Sequence, residues 1–354
     1  MLSDKTKKQK IAFLLPQLIK TAPIQYNRNL IDQLIEYFDI TVFYFKGEDS
    51  IGFNCKTILI DYKIDYNFEG FDLVQSFGYK PDIFLSRNRS QINAKLVTTL
   101  HSFIFFDLRS QFGVIASLIF GSRWLYNLRK FDQIICLTYV MKDYYEQYLP
   151  SNKLKVIKSS HLINSNKRDD INQMIINQIA HFKSNKVLVG IFANVTYQKG
   201  IDHVIKAIAS SDKFQLVILG DGNYLKNLKK LVSIYQCESK CLFLGHVPDA
   251  YQYMSLLDIY VMSSYQEGFG LVGLEAAHYK VPLVCNNIPV FREIYSSEVV
   301  EFYDSNSSKS LIGALENVAI SLEENGRKLN EYCQSTYNIV NMANEYIQLY
   351  NRLI

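Results

Sequence analysis

The sequence predicts an α/β protein built from two doubly wound domains, each with a parallel sheet. Three observations point there. Short runs of β-branched and aromatic residues alternate with longer amphipathic stretches, as in repeated strand–helix–strand units. Many of the short runs are continuously apolar rather than alternating, the pattern of strands covered on both faces. At 354 residues and 48% hydrophobic, the chain can bury a large core and exceeds the length at which a single core stops growing.

The first set of strands is IAFLLP (11–16), ITVFYF (40–45), LVTTLH (96–101), QIICLT (133–138) and LKVIKS (154–159). The second set is VLVGIFA (187–193), FQLVILG (214–220), CLFLG (241–245), IYVMSS (259–264) and PLVCN (282–286). Between them, 27–38 places Leu30, Ile31, Leu34 and Ile35 on one helical face, and 201–209 does the same with Ile201, Val204, Ile205 and Ile208. A polar stretch at 161–173, followed by a helix to about Phe182, separates the two sets. The domains are expected at 1–180 and 185–334. From Ser335 the last twenty residues read as one amphipathic helix (335–354) able to pack back on the first domain.

Composition excludes several classes. The apolar content is too high for a disordered chain. Six cysteines are too few for a disulfide scaffold, and Cys237 and Cys241 lack a second close pair to complete a zinc site. They read as reduced thiols of a cytoplasmic protein. No apolar run reaches the ~18–20 residues of a membrane-spanning helix. The lysine-led N-terminus resembles a signal peptide only thinly, because Pro16 and Gln17 interrupt its apolar stretch; a first strand from Lys10 to Pro16 explains it better. The net charge of +4 is uneven. Residues 1–180 hold 23 basic and 17 acidic side chains, and residues 83–168 hold 13 and 4. Such a surplus suits a polyanion or an anionic membrane surface, and equally a solvated surface balanced elsewhere.

Three segments of the second half can carry chemistry. Lys199-Gly200 precedes a helix, where a cation and free N–H groups suit a phosphate. Gly220-Asp221-Gly222 ends a strand and allows close backbone approach, to a ligand or within a plain turn. In SSYQEGFGLVGLEAA, a glycine-containing loop leads into a helix starting near Leu271, with Glu267 before it and Glu275 one turn inside. The helix tip offers unpaired N–H groups to a diphosphate. The two carboxylates would accept hydrogen bonds from sugar hydroxyls, so the combination reads as a nucleotide-sugar site; either alone is also a dipole-favoured helix-start carboxylate.

The Glu-x7-Glu spacing of Glu267 and Glu275 resembles the hallmark of retaining glycosyltransferases of family 4, with the GT-B fold. Lys199-Gly200, Gly220-Asp221-Gly222, FLGHV (243–247), Asp258 and VPLV (281–284) stand in the family's order around it. FDLVQSFG (71–78), LVTTLHS (96–102) and FDQIICLT (131–138) resemble its N-terminal strands more loosely. The resemblance implies two Rossmann-like domains across a cleft, the C-terminal one holding a nucleoside diphosphate sugar and the N-terminal one presenting the acceptor. It implies that Lys199 contacts the diphosphate, that the N–H groups of Gly270, Leu271 and Val272 cradle it, that Glu275 binds ribose hydroxyls and Glu267 those of the sugar, and that His101 lies near the reacting carbon. It implies hexosyl transfer with retention, without metal or cofactor, in surface-glycan synthesis.

The sequence departs from the family where an arginine usually precedes the lysine by five residues. Asn194 stands there, and a lost charge-assisted contact costs about 1.5–3 kcal/mol. Thr21-Ala22-Pro23 replaces a glycine pair, Ser159-Ser160-His161 an Asn-Gly, and Lys280 a glycine. A non-catalytic GT-B partner of an active transferase is therefore the alternative; a sugar-nucleotide epimerase would need further acid–base groups. Finally, 103–130 mixes aromatics and an apolar stretch with Arg109, Arg123, Trp124, Arg129 and Lys130. It fits a membrane interface with Trp124 at headgroup level, bringing the enzyme to a lipid-linked acceptor, or an internal helix pair.

Overall fold

The computed structural model describes residues 8–19, 21–160 and 171–354. The N-terminal lysine cluster before Lys8, the polar stretch through Asp170 and His161 lie outside the described residues. The chain forms two compact units, residues 1–162 with 337–354, and residues 163–336.

The first unit runs β1 (Lys10–Leu15), α1 (Ala22–Leu34), β2 (Asp39–Tyr44), β3 (Lys56–Leu59), β4 (Leu73–Phe77), α2 (Tyr79–Arg87), β5 (Lys95–Leu100), α3 (Ile104–Phe112), α4 (Val114–Leu128), β6 (Gln133–Cys136), α5 (Tyr139–Glu146) and β7 (Leu154–Val156). Its seven strands are all parallel, in the order β3-β2-β1-β4-β5-β6-β7. The second unit runs α6 (Gln173–Phe182), β8 (Val187–Phe192), α7 (Ile201–Ala209), β9 (Phe214–Leu219), α8 (Leu225–Ile234), β10 (Cys241–Gly245), β11 (Ile259–Met262), α9 (Leu271–His278), β12 (Leu283–Asn286), α10 (Pro289–Ile294), β13 (Glu301–Tyr303), α11 (Ser308–Ala319) and α12 (Leu322–Thr336). Its six strands are parallel in the order β10-β9-β8-β11-β12-β13. The central strands are sealed, with Ile11 to Leu15 and Leu216 to Ile218 without solvent exposure, which is why they read as unbroken apolar runs.

One device recurs at the N-terminal ends of both sheets. Asp72, Asp132 and Asp258 each precede a strand, and each carboxylate accepts from the N–H of a residue at the start of the adjacent strand: Lys10 at 2.7 Å, Leu96 at 2.8 Å and Leu188 at 2.8 Å. Each also donates its own N–H back to that residue's carbonyl at 2.9 Å. The aspartate pins the register of two parallel neighbours and satisfies a donor that would otherwise be left over at the strand end.

Three boundaries differ from expectation. The predicted helix at 27–38 is α1, which starts five residues earlier because Pro23 is preorganised for a first helical turn. Helix α6 belongs to the second unit, so the division lies near 162 rather than 180; the N–H of Asn172 donates to Tyr253 Oη at 2.9 Å, and Lys183 pairs with Asp258 at 2.7 Å. The C-terminal helix does not begin at Ser335. Helix α12 ends at Thr336, and Asn338 caps a new helix, α13 (Ile339–Leu353), its side chain accepting from Val340 N–H at 2.8 Å. Helix α13 returns to the first unit. The Tyr346 hydroxyl lies 2.9 Å from both Tyr26 Oη and Thr99 Oγ1, and Tyr350 Oη donates to Gln75 Oε1 at 3.2 Å, all buried.

Candidate functional site

In an open parallel sheet, ligands bind beyond the strand C-termini where the strand order reverses. In the second unit that point lies between β8 and β11. The loops leaving these two strands carry the residues singled out by the sequence. Lys199 follows β8 and Glu267 follows β11, and they form an ion pair, Nζ to Oε2 at 2.8 Å, with Lys199 28% and Glu267 18% exposed. Ser264 Oγ donates to the same carboxylate oxygen at 2.9 Å. The two loops are stitched together by Ser263 Oγ to the Lys199 carbonyl at 2.7 Å, Gln198 Nε2 to the Gln266 carbonyl at 3.0 Å and Tyr265 N–H to the Gln198 carbonyl at 2.8 Å.

Helix α9 opens at Leu271, with Gly270 as its N-cap at φ +87°. The left-handed turn favours glycine here, while a Cβ would press on Met262 Cε, the movable end of a flexible side chain. The first turn leaves its N–H groups, including those of Leu271 and Val272, without acceptors inside the helix. Glu275 sits half-buried one turn along. Glu275 and Glu267 bear on the same buried group: burial pushes the Tyr260 hydroxyl far up, and the charges of both carboxylates push it further. Tyr260, on β11, hydrogen-bonds both the N–H and the carbonyl of Phe192 at the end of β8, each at 3.0 Å. Glu267 lies in the loop after β11 and Glu275 in the helix that follows it, whose Gly270 tip packs over Met262 of β11.

The other glycines let the loops themselves pack closely. Gly220 has φ +139°, and a Cβ would meet the Ala193 carbonyl; one on Gly222 would meet that of Val195. Their freedom lets the loops after β8 and β9 touch, sealed by Val195 N–H to the Asp221 carbonyl at 2.9 Å and Tyr224 N–H to the Val195 carbonyl at 3.0 Å. Gly200, at φ +63°, similarly clears the Ser263 carbonyl. Asn194 is exposed on this loop.

Sequence reasoning missed a polar relay behind the loop. Tyr265 Oη donates to Asp202, at 3.1 Å to the nearer oxygen, and lies 3.2 Å from His203 Nδ1, whose Nε2 lies 2.8 Å from Tyr303 Oη. Burial pushes His203 down to about 4, so it is neutral and links the two hydroxyls rather than carrying charge. An aspartate and histidine in the first turn of an amphipathic helix were the only hint.

In the first unit, His101 follows β5 and borders a pocket of about 530 Å³. Its ring packs edge-on to Tyr26, centroids 4.9 Å apart, and against Phe77 at 4.2 Å. Burial pushes the imidazole down to about 3, and Nε2 is enclosed without a hydrogen-bond partner. The expectation for 103–130 is corrected in part. Trp124 does not face outward at a headgroup level: it is 8% exposed, and its Nε1 donates to buried Asp82 at 2.7 Å. Lys130 Nζ donates to the Ser86 carbonyl at 3.1 Å, and Arg129 to that of Tyr148 at 3.2 Å. Arg109 and Arg123 remain exposed. All six cysteines are free thiols. Among the described residues no helix is long and apolar enough to cross a membrane, and no group of three His, Cys, Asp or Glu is placed to hold a metal ion.

Two Rossmann-like parallel-sheet units of this order define the GT-B fold. Residues 172–335 match the model of the family described as Glycosyl transferases group 1, so the second unit carries that domain. The O-antigen biosynthesis glycosyltransferase WclY of Escherichia coli is 28% identical over 357 residues, 97% of this chain and 98% of the relative. The lipopolysaccharide core biosynthesis mannosyltransferase LpcC of Rhizobium leguminosarum bv. viciae is 31% identical over 116 residues, 30% of this chain and 33% of the relative. Among solved structures, Anabaena Alr3699/HepE in complex with UDP and glucose superposes with a TM-score of 0.80 at 16% identity, covering 97% of this chain and 100% of that one. The protein is a glycosyltransferase.

Proposed function

We propose that the protein transfers a hexose with retention from a nucleoside diphosphate sugar to an acceptor hydroxyl, in synthesis of a bacterial surface glycan of the lipopolysaccharide or O-antigen kind. The observation that carries this reading is the Lys199–Glu267 pair at the strand-order reversal, with Glu267 packed beside the Gly270 tip of α9. The likeness to WclY supports the glycan class, and a UDP complex of the same fold supports a nucleotide donor.

In this reading the diphosphate docks on the first-turn N–H groups of α9, where the dipole and the Lys199 ammonium stabilise the charge of the departing nucleotide. Lys199 keeps its contact with Glu267 and shares its remaining protons with a phosphate oxygen. Glu267, fixed by Ser264 and Lys199, grips hydroxyls of the sugar as its anomeric carbon becomes oxocarbenium-like, and Glu275 grips the ribose. The acceptor hydroxyl attacks from the face the nucleotide leaves and passes its proton to the departing phosphate oxygen. The chain's own cation and helix dipole do the charge work, so the reaction is metal-independent. The acceptor is lipid-linked, at the inner face of the membrane.

Nucleotide release measured over a panel of nucleoside diphosphate sugars tests this. Wild type should turn over at least one donor at an unchanged rate in chelator. Glu267→Gln should lower kcat at least ~100-fold, while affinity for the free nucleoside diphosphate holds or improves, because a negative charge beside the phosphate is gone. Turnover surviving in Glu267→Gln overturns the assignment. Binding without turnover of any donor supports a non-catalytic partner instead, a reading to which Asn194 in place of the expected arginine lends weight.

A further inference from the structure

Helix α4 is apolar on two sides. Ser117, Gly121, Trp124, Leu125 and Leu128 form its buried face at spacings of four, three, one and three residues. The opposite side carries Ile115, Leu118 and Ile119, exposed by 75, 57 and 62%. Across the α3–α4 corner at Gly113, Phe112, Val114 and Phe120 extend the same exposed surface, at 62, 52 and 43%. A helix that is apolar all round is normally covered on all sides, and an uncovered patch of six large side chains marks an interaction surface. Two exposed cations on the same hairpin, Arg109 and Arg123, have no acidic partner among the described residues, whereas Arg87 pairs with Asp65 and Arg89 with Asp132.

The pocket beside His101 opens within this surface. Phe112 and Phe120, both exposed on the patch, also line the cavity, whose inner wall is Phe77, Leu100, Leu108 and Trp124. A cavity of about 530 Å³ falls in the size range of sites that enclose a small ligand. Its apolar walls suit hydrocarbon, and Lys80 and Ser102, beside the Asp107 carboxylate, supply polar groups for the end of such a ligand.

We propose that the α3–α4 hairpin docks the first unit on an anionic bilayer, and that the pocket behind it takes a hydrocarbon chain of a membrane-borne lipid. The unpaired arginines favour a broadly anionic occupant: an anionic lipid surface presents closely spaced phosphates to both at once, whereas a partner copy of this chain is net +4 and even its second half, residues 181–354 with 15 basic and 17 acidic side chains, has little acid to spare. Continuity between patch and cavity lets a chain pass from one to the other without crossing water. The inference rests on the lipid-linked acceptor proposed above and names the element that receives it.

Trp124 is the single tryptophan of the chain and lines the pocket, so its fluorescence reports on chain entry. The full chain is mixed with phosphatidylglycerol or phosphatidylcholine vesicles, sedimented, and then titrated with vesicles carrying brominated acyl chains. Wild type should bind phosphatidylglycerol about tenfold more tightly than phosphatidylcholine, lose that preference in high salt, and show Trp124 quenching by bromine. The Ile115→Asp/Ile119→Asp variant should lose both binding and quenching; Leu108→Asp should bind as wild type does but lose quenching. No phosphatidylglycerol binding by wild type, or unchanged binding by the double variant, overturns the docking face. Binding with unquenched Trp124, or quenching that persists in Leu108→Asp, overturns the chain site. A dimer in sedimentation velocity that the double variant breaks assigns the face to a second copy and overturns the proposal. A UDP-induced thermal shift common to all variants shows the second unit intact, so failure here stays distinct from failure of the transferase reading.

Discussion

Asp72, Asp132 and Asp258 each hold a strand-end N–H with a carboxylate, and the last two also meet a cation, Arg89 at 3.4 Å and Lys183 at 2.7 Å. A hydrogen bond to a charged acceptor contributes about 1.5–3 kcal/mol, more than the exposed ion pair beside it, which contributes at most about 1 kcal/mol. Asp132→Ala and Asp258→Ala should therefore each destabilise their unit by about 2 kcal/mol in urea unfolding, and asparagine, which keeps an acceptor oxygen, by about half that. Neutralising only the cation, as Lys183→Gln, should cost less than about 1 kcal/mol; Arg89 is a less clean probe, because its guanidinium also donates to the Ile92 carbonyl at 2.7 Å. Equal losses for the aspartate and its cation would mean that the ion pair, and not the backbone clamp, is what matters.

At the scale of elements, the tip of α9 is set by one backbone conformation. Gly270→Ala puts a side chain at φ +87°, so the turn must strain or the tip must shift, while the Met262 side chain can move aside. The expected result is an unchanged far-ultraviolet circular dichroism spectrum with the UDP-induced thermal shift reduced or lost; a full shift would show that the tip does not hold the diphosphate. This element was legible because a buried strand, a glycine loop and a helix start leave local signals, and Glu267 and Glu275 sit within nine residues of each other. Most interior strands were legible for the same reason, as largely apolar runs; β4, interrupted by Gln75 and Ser76, was marked only by the family resemblance. Edge strands β3 and β13 were not, being three or four residues long and half-exposed. Nor was the orientation of α4. A helix apolar on both sides carries no periodic sign of which side faces protein, and Trp124 found its place through Asp82, 42 residues earlier in the chain. The same blindness to distant partners hid the Tyr265–His203–Tyr303 relay.

At the scale of the whole molecule, two desolvated groups of the first unit, Asp82 in the core and half-buried His101 at the pocket wall, give its stability an unusual dependence on pH. Asp82 has no solvent exposure; burial pushes it up to about 7, although Ser76, Thr98 and Trp124 all donate to it and favour the anion. Folding therefore holds a proton that the unfolded chain releases above about pH 4, and this contribution is complete at low pH and fades as pH rises through 7. His101 acts in the opposite sense. Its folded value is about 3, while the unfolded imidazole titrates near 6.5, so its contribution is complete above 6.5 and fades as pH falls toward 3. Between about pH 4 and 6.5 the two proton differences cancel. Removing either group unmasks the other. Relative to wild type, His101→Phe should make the first unit lose stability with rising pH over that window, by up to about 1.4 kcal/mol per pH unit, and Asp82→Asn should make it gain stability at a comparable slope. Because both are read against wild type, every other carboxylate drops out of the comparison. Unfolding curves that stay parallel to wild type across the window would show that neither group is held in its buried neutral form.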